Sequence, residues 1–213
     1  MASAVIHMAV ANEINKVLKR DNNLILIGSI APDISKHIGQ NKVLSHFLDT
    51  EDNEVPNIDR FLAQYRSFFD NDFVMGYFIH LYTDYLWFKY FLPEIYDKQM
   101  ITKLDGSTFE CNTRMLCMYM YNDYTNLNVR LIDEYNMNLN IFYSEPPEIN
   151  PIIKEIPMDK ISTIINATSV IIENSKVKKD LIFNIDNVNQ FIELCINLIL
   201  AKLKELSLLE NKN

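Results

Sequence analysis

Apolar residues dominate one stretch of the chain more than any other. Phe73–Leu92, FVMGYFIHLYTDYLWFKYFL, is apolar or aromatic on every face of a helix, yet carries His80 and Asp84 near its middle. A helix that is hydrophobic all round is the buried, central element of a bundle. Elsewhere the 3.6-residue period is one-sided. Residues 3–20 read as a first helix, with Ser3 as N-cap and Ala4, Val10, Ala11, Ile14 and Leu18 as its apolar stripe. Ile58–Phe69 turns Phe61, Leu62, Tyr65, Phe68 and Phe69 inward and its charges outward. Ile161–Ile172 and Val188–Leu206 read as two long closing helices, and Cys111–Tyr121 and Leu127–Tyr135 as two more amphipathic stretches. Leu24–Ile27 is a short apolar run, Glu94–Leu104 a short helix plus connection, and Leu181–Ile185 a short extended piece. The pattern predicts an all-α, multi-helix bundle around a central buried helix near 73–92, with residues 1–213 as one domain.

Composition sharpens this only in places. Four glycines among 213 residues leave no room for a run of strand–Gly–helix units. The net charge of −8 counts against a broad nucleic-acid surface, and no nucleic-acid partner is expected. Three cysteines without close pairing read as free thiols in a reducing compartment. Residues 1–20 lack a secretory signal pattern, and His80, Asp84 and Lys89 interrupt the one stretch of membrane-spanning length, so the expectation is a cytoplasmic protein without a transmembrane segment. Oligomeric state is left open.

Residues four apart on a helix lie only about 40° out of line, so His80 and Asp84 project side by side from a greasy helix. An ionised carboxylate there is costly unless paired. A metal ion would pair it; so would a histidine hydrogen-bonded to its helix neighbour. More candidates sit beside apolar segments: His7 next to the first stripe, Asp33 in the loop GSIAPDISKHIGQ, and His46 in KVLSHFL with Asp49 three residues on. Taken singly, His7 reads as a half-buried core histidine and Asp33 as an N-cap for a helix starting at Ile34. His37 reads as solvent-facing, Trp87 as core. Together, His7, Asp33, His46, His80 and Asp84 form the imidazole and carboxylate set that suits zinc and similar divalent ions.

The order of these motifs resembles the zinc-dependent phospholipase C family, related more distantly to fungal single-strand nucleases. The matching pieces are His7 in AVIHMAVANEI, Asp33 in APD, Ser45-His46-Phe47 with Asp49, and His80-Leu-Tyr-Thr-Asp84, all within about residues 1–90. The resemblance implies an all-α bundle with clustered zinc ions that hydrolyses phosphoesters, whether a small phosphoester or a phospholipid head group. It implies that Asp33, His46, His80 and Asp84 hold one ion, and that His7 shares Asp84 with a second. It also implies that Asp33 orients or deprotonates the attacking water, as the catalytic residue. The chain departs from the family where a third ion would bind: Tyr90 stands in place of a histidine, and no histidine follows His80. The N-terminal Trp of the family is missing as well. One or two zinc ions, or other divalent metals in their place, are therefore expected; Asp123 or Glu134 could add a carboxylate. The alternative is a non-catalytic structural or regulatory metal protein.

Overall fold

A computed structural model describes residues 1–208. It is mainly helical, as the periodicity predicts. Its helices are α1 (Ala4–Leu18), α2 (Asn22–Ile30), α3 (Ile34–His37), α4 (Lys42–Ser45), α5 (Ile58–Tyr65), α6 (Asp72–Leu86), α7 (Leu92–Ile95), α8 (Thr113–Glu134), α9 (Ile161–Glu173) and α10 (Ile185–Glu205). Between α7 and α8 lies a small antiparallel sheet in the order β1 (Tyr96–Asp97), β2 (Met100–Thr102), β3 (Thr108–Glu110). No helix among the described residues is long and apolar enough to cross a membrane.

The central helix is α6, buried on all sides, with α1, α2, α5 and α10 packed around it. Asn71 caps it by accepting the Val74 N–H. Its continuation, Trp87–Phe91, is a π-helical turn, after which Pro93 begins the short α7. Trp87 is fully buried and stacks on Phe91, as expected of a core residue.

Against α6 runs α2, and the two meet through glycine. A Cβ on Gly28 would stand 2.3 Å from the Phe73 carbonyl oxygen, and one on Gly76 would stand 2.2 Å from that of Ile25. The backbones touch with no side chain between them, which no other residue type allows. Asp21 starts α2 by accepting the Leu24 N–H.

Several expectations are corrected. The apolar run at Leu24–Ile27 is helical, part of α2: Asp21 caps it, and burial on every side removes the polar face that would have shown a helical period. The two stretches at 111–121 and 127–135 are one continuous helix, α8, and Asp123 between them is buried and used structurally. The first helix stops at Leu18, with Lys19 in the left-handed region. Residues 96–110 form the sheet in place of the expected helix and connection, its β2–β3 turn made by Asp105-Gly106. Leu181–Phe183 pairs with no strand; its N–H groups are taken by a carboxylate.

Candidate metal centre

Four local devices deliver the five sequence candidates, and all five converge in the interior. His7 sits one turn into α1, whose N-cap Ser3 accepts the Ile6 N–H. His80 and Asp84 lie one turn apart on α6. Asp33 ends a 3₁₀ turn, Ala31–Asp33, that Pro32 sets up. It occupies the N-cap position of α3 without making a side-chain cap bond, so its carboxylate is free to point inward. His46 is placed by a helix-ending motif. Phe47 takes φ of 54°, the Leu48 N–H reaches the Val43 carbonyl and the Phe47 N–H reaches that of Leu44. A bulky residue in that region costs on the order of 1–2 kcal/mol. The Phe47 ring, packed edge-on against Phe61, Tyr65 and Tyr77, over-determines the conformation. The Tyr77 hydroxyl donates to the Ser45 carbonyl and so ties this turn to α6.

All five are buried: His7 and His80 completely, the others to within 4%. Their donor atoms form two sets of three, His7–His80–Asp84 and Asp33–His46–His80, either of which could hold a metal ion. Asp33 Oδ1 lies 3.4 Å from His46 Nε2, His46 Nε2 lies 3.3 Å from His80 Nε2, and His80 Nε2 lies 3.5 Å from Asp84 Oδ2. His46 Nε2 lies 3.8 Å from Asp84 Oδ2. Hydrogen bonds of this type run to about 3.2 Å. Donors held about 2.0–2.1 Å from a tetrahedral ion stand roughly 3.3–3.4 Å apart. Three of these separations, 3.3–3.5 Å, are close to such an edge, and the fourth, 3.8 Å, is longer.

Asp84 faces two ways. Oδ2 points at His80 and His46, whereas Oδ1 lies 3.4 Å from His7 Nε2 and accepts the Ala2 N–H at 3.0 Å. Neither nitrogen of His7 and not Oδ2 of Asp84 has a hydrogen-bond partner among the described residues. Unpaired buried polar atoms are rare and call for an explanation. His7 also stacks on His80, with ring centroids 3.7 Å apart.

Surrounding groups orient the imidazoles. The Ser29 carbonyl, at the end of α2, accepts from His80 Nδ1 at 2.7 Å, which leaves the Nε2 lone pair of a neutral ring facing inward. Ser45 Oγ lies 3.0 Å from His46 Nδ1 and can accept from it while donating to the Lys42 carbonyl. In that state two lone pairs confront each other 3.3 Å apart, and only a cation between them makes the arrangement favourable. With the other His46 tautomer, a single N–H bridges the pair.

Electrostatics suit ligation. Burial pushes His7 down to about 4, with His80 adding to the effect, and burial likewise lowers His46. Both rings are therefore neutral at pH 7. Burial opposes ionisation of Asp33, but the Lys36 ammonium, 2.8 Å from Oδ1, and the His46 ring more than offset it and hold the carboxyl well below its ordinary value. For Asp84, burial is likewise outweighed, by His7 and His80.

Other candidates lie elsewhere. Asp49 is exposed, bonded to Asn57 at 2.8 Å, and its place in the motif is that of a loop anchor. Asp123 is buried away from the centre and accepts the N–H groups of Leu181, Ile182 and Phe183. Glu134 is exposed and accepts from Asn189. Tyr90 is half exposed on the π-helical turn. His37 is solvent-facing as expected. Sequence reasoning missed Lys36 and Ser29. A lysine one turn after Asp33 was a readable signal; a backbone carbonyl carries none.

Beside the centre opens a cleft of about 370 Å³, between the start of α1, α3, α8 and α9, with Asp33 and Lys36 in its lining. The chain matches no protein-family model, no curated protein and no solved structure.

Proposed function

We propose that the protein is a metal-dependent phosphoester hydrolase, with zinc as the first candidate metal, Asp33, His46, His80 and Asp84 holding one ion and His7 with Asp84 holding a second. One observation carries the reading. Five buried histidine and aspartate side chains from four separate segments bring their donor atoms into two overlapping sets, at separations mostly longer than a good hydrogen bond and of the order that coordination gives. Asp84, with one oxygen toward each set, is placed to bridge. The ligand order also resembles that of zinc-dependent phospholipase C enzymes over residues 1–90.

A divalent ion at such a site supplies a water acidified to near-neutral pKa and positive charge for phosphoryl oxygens. The chain's own groups supply the rest. Asp33, the ligand that reaches the cleft, orients the attacking water through its second oxygen. Its lowered pKa makes it a better orienting group than base. The Lys36 ammonium, beside Asp33 in the same cleft, is placed to receive an anionic phosphoryl oxygen.

The second reading, a metal ion that only holds the bundle together, is favoured by the near-complete burial of every ligand, since structural sites are closed. Elemental analysis followed by phosphoester assays on the parent, Asp33→Asn and His80→Ala decides between them. The hydrolase reading expects one or two ions per chain, turnover lost in Asp33→Asn with folding retained, and metal lost in His80→Ala. Metal without turnover of any phosphoester leaves the structural reading; no metal uptake in excess zinc overturns both.

A further inference from the structure

The cleft beside the centre is lined by chemically different groups, among them the charged pair Asp33 and Lys36. Its walls are largely apolar, with Met120 and Tyr124 from α8 and Ile164 from α9. At about 370 Å³ it holds roughly a dozen waters' worth of volume, which suits a compact organic group and is far too small to enclose two long acyl chains. Also lining it are Asn128 of α8 and Thr168 of α9, 1% and 0% exposed. Neither Asn128 Oδ1 nor Thr168 Oγ1 has a hydrogen-bond partner among the described residues, although Asn128 Nδ2 is fixed by a 3.0 Å bond to Ser175 Oγ. A helical threonine normally returns its hydroxyl to the carbonyl one turn back, as Thr83 and Thr125 do here. Thr168 does not. Two unpaired, buried polar atoms on helices that both line a mainly apolar cleft constitute a recognition element for a polar group.

Resting on the hydrolase reading, we propose that the cleft takes a phosphoester whose leaving group is a compact, mostly apolar alcohol carrying a hydroxyl at its far end, read by Asn128 and Thr168. The phosphoryl group lies at Asp33 and Lys36. The apolar middle lies against Met120, Tyr124 and Ile164. The distal hydroxyl donates to Asn128 Oδ1 and accepts from Thr168 Oγ1. An ester lacking that hydroxyl leaves both protein groups desolvated and unpaired, which is the strongest form of discrimination a binding site has.

Binding of two non-hydrolysable probes separates this from the parent reading. Zinc-loaded full-length protein is titrated calorimetrically with 4-(hydroxymethyl)phenylphosphonate and with phenylphosphonate, and the ratio of their dissociation constants is compared in the parent, Asn128→Leu and Thr168→Val. The expected parent ratio is about tenfold in favour of the hydroxylated probe, falling to about one in each variant. Thr168→Val is also expected to melt at or above the parent temperature, because it removes an unpaired hydroxyl; a clear drop would show that Thr168 is bonded within the fold and would overturn its role. A parent ratio near one, or a ratio unchanged in both variants, overturns the proposal. If the preference is present and no phosphoester is turned over, the binding inference stands and the hydrolase reading fails.

Discussion

Gly76→Ala tests whether the metal centre depends on the glycine contact between α2 and α6. At an open helical position this change would add about 1 kcal/mol of helix propensity. Here the new methyl would stand 2.2 Å from the Ile25 carbonyl oxygen and 3.0 Å from the Gly28 Cα. Both are backbone atoms that cannot swing aside, so the helices must part by roughly 1 Å to restore ordinary contact, an overpacking cost of about 1–3 kcal/mol. Parting them also draws the Ser29 carbonyl from His80 Nδ1, now 2.7 Å away. Leaving that buried pair unmade costs about 1–3 kcal/mol more. The net expectation is a loss of about 2–4 kcal/mol, or on the order of 10 °C in melting temperature for a chain of this size. Releasing the His80 ring should further weaken metal binding about 10–100-fold. Urea denaturation of the metal-free protein reads the first effect, and competition against a chromophoric chelator reads the second. Gly39→Ala is the control: φ there is 70° with nothing within 4 Å, so it should cost some backbone strain and leave metal affinity alone. If Gly76→Ala unfolds within about 0.5 kcal/mol of the parent and binds metal equally, the argument from helix contact to ligand orientation is wrong.

Three further outcomes are expected. Zinc at about a hundred times its dissociation constant should stabilise the parent by about 2.7 kcal/mol, seen as a melting shift that a chelator reverses; His80→Ala should melt at the same temperature with and without chelator. Acid should destabilise the metal-free protein. His7 titrates at about 4 folded against an ordinary 6.5, so the unfolded chain holds more protons between those values. Stability should therefore fall as pH drops through about 6.5 to 4, by about 3 kcal/mol from this residue, and His7→Gln should flatten that limb of a stability–pH curve. Asp123→Ala should cost about 3 kcal/mol in denaturant titrations by stranding the N–H groups of Leu181, Ile182 and Phe183, yet leave metal content unchanged. A metal loss in that variant would mean that the 181–183 loop shapes the centre.

The candidate centre was legible in sequence because its residues break a strong pattern. His80 and Asp84 interrupt a helix that is apolar on every face, and His7 and His46 sit among apolar neighbours, so each polar residue stands out against its background. Their convergence was legible only through motif order, since nothing local links His7 to Asp84. Asp33 could be read equally well as a helix cap, and only the missing cap bond in the structure shows where its carboxylate goes. Asp49, part of the motif but given no ligand role, lies beyond the left-handed turn at Phe47, which carries the chain back to the surface. The α2 helix was opaque because burial on all sides erases periodicity, and glycine at 28 and 76 carries no sign of which partner it touches. The sheet at 96–110 was opaque because its strands span two or three residues, too short for alternation to show.

The central helix does more than contribute two ligands. Gly76 sets how near α2 comes and thus where the Ser29 carbonyl meets His80; Tyr77 holds the backbone of the turn that carries His46; Asp84 is the meeting point for His7. Gly76, Tyr77, His80 and Asp84, which carry these roles, fall within nine residues of one helix. One residue more or fewer within 77–83 would rotate everything beyond it by about 100° and slide it about 1.5 Å, disconnecting the upstream half of that set from the downstream half. Side chains in this span can be exchanged at a local cost, but its length behaves as a single indivisible unit, whereas the exposed 49–54 loop can change length without altering the register of any ligand.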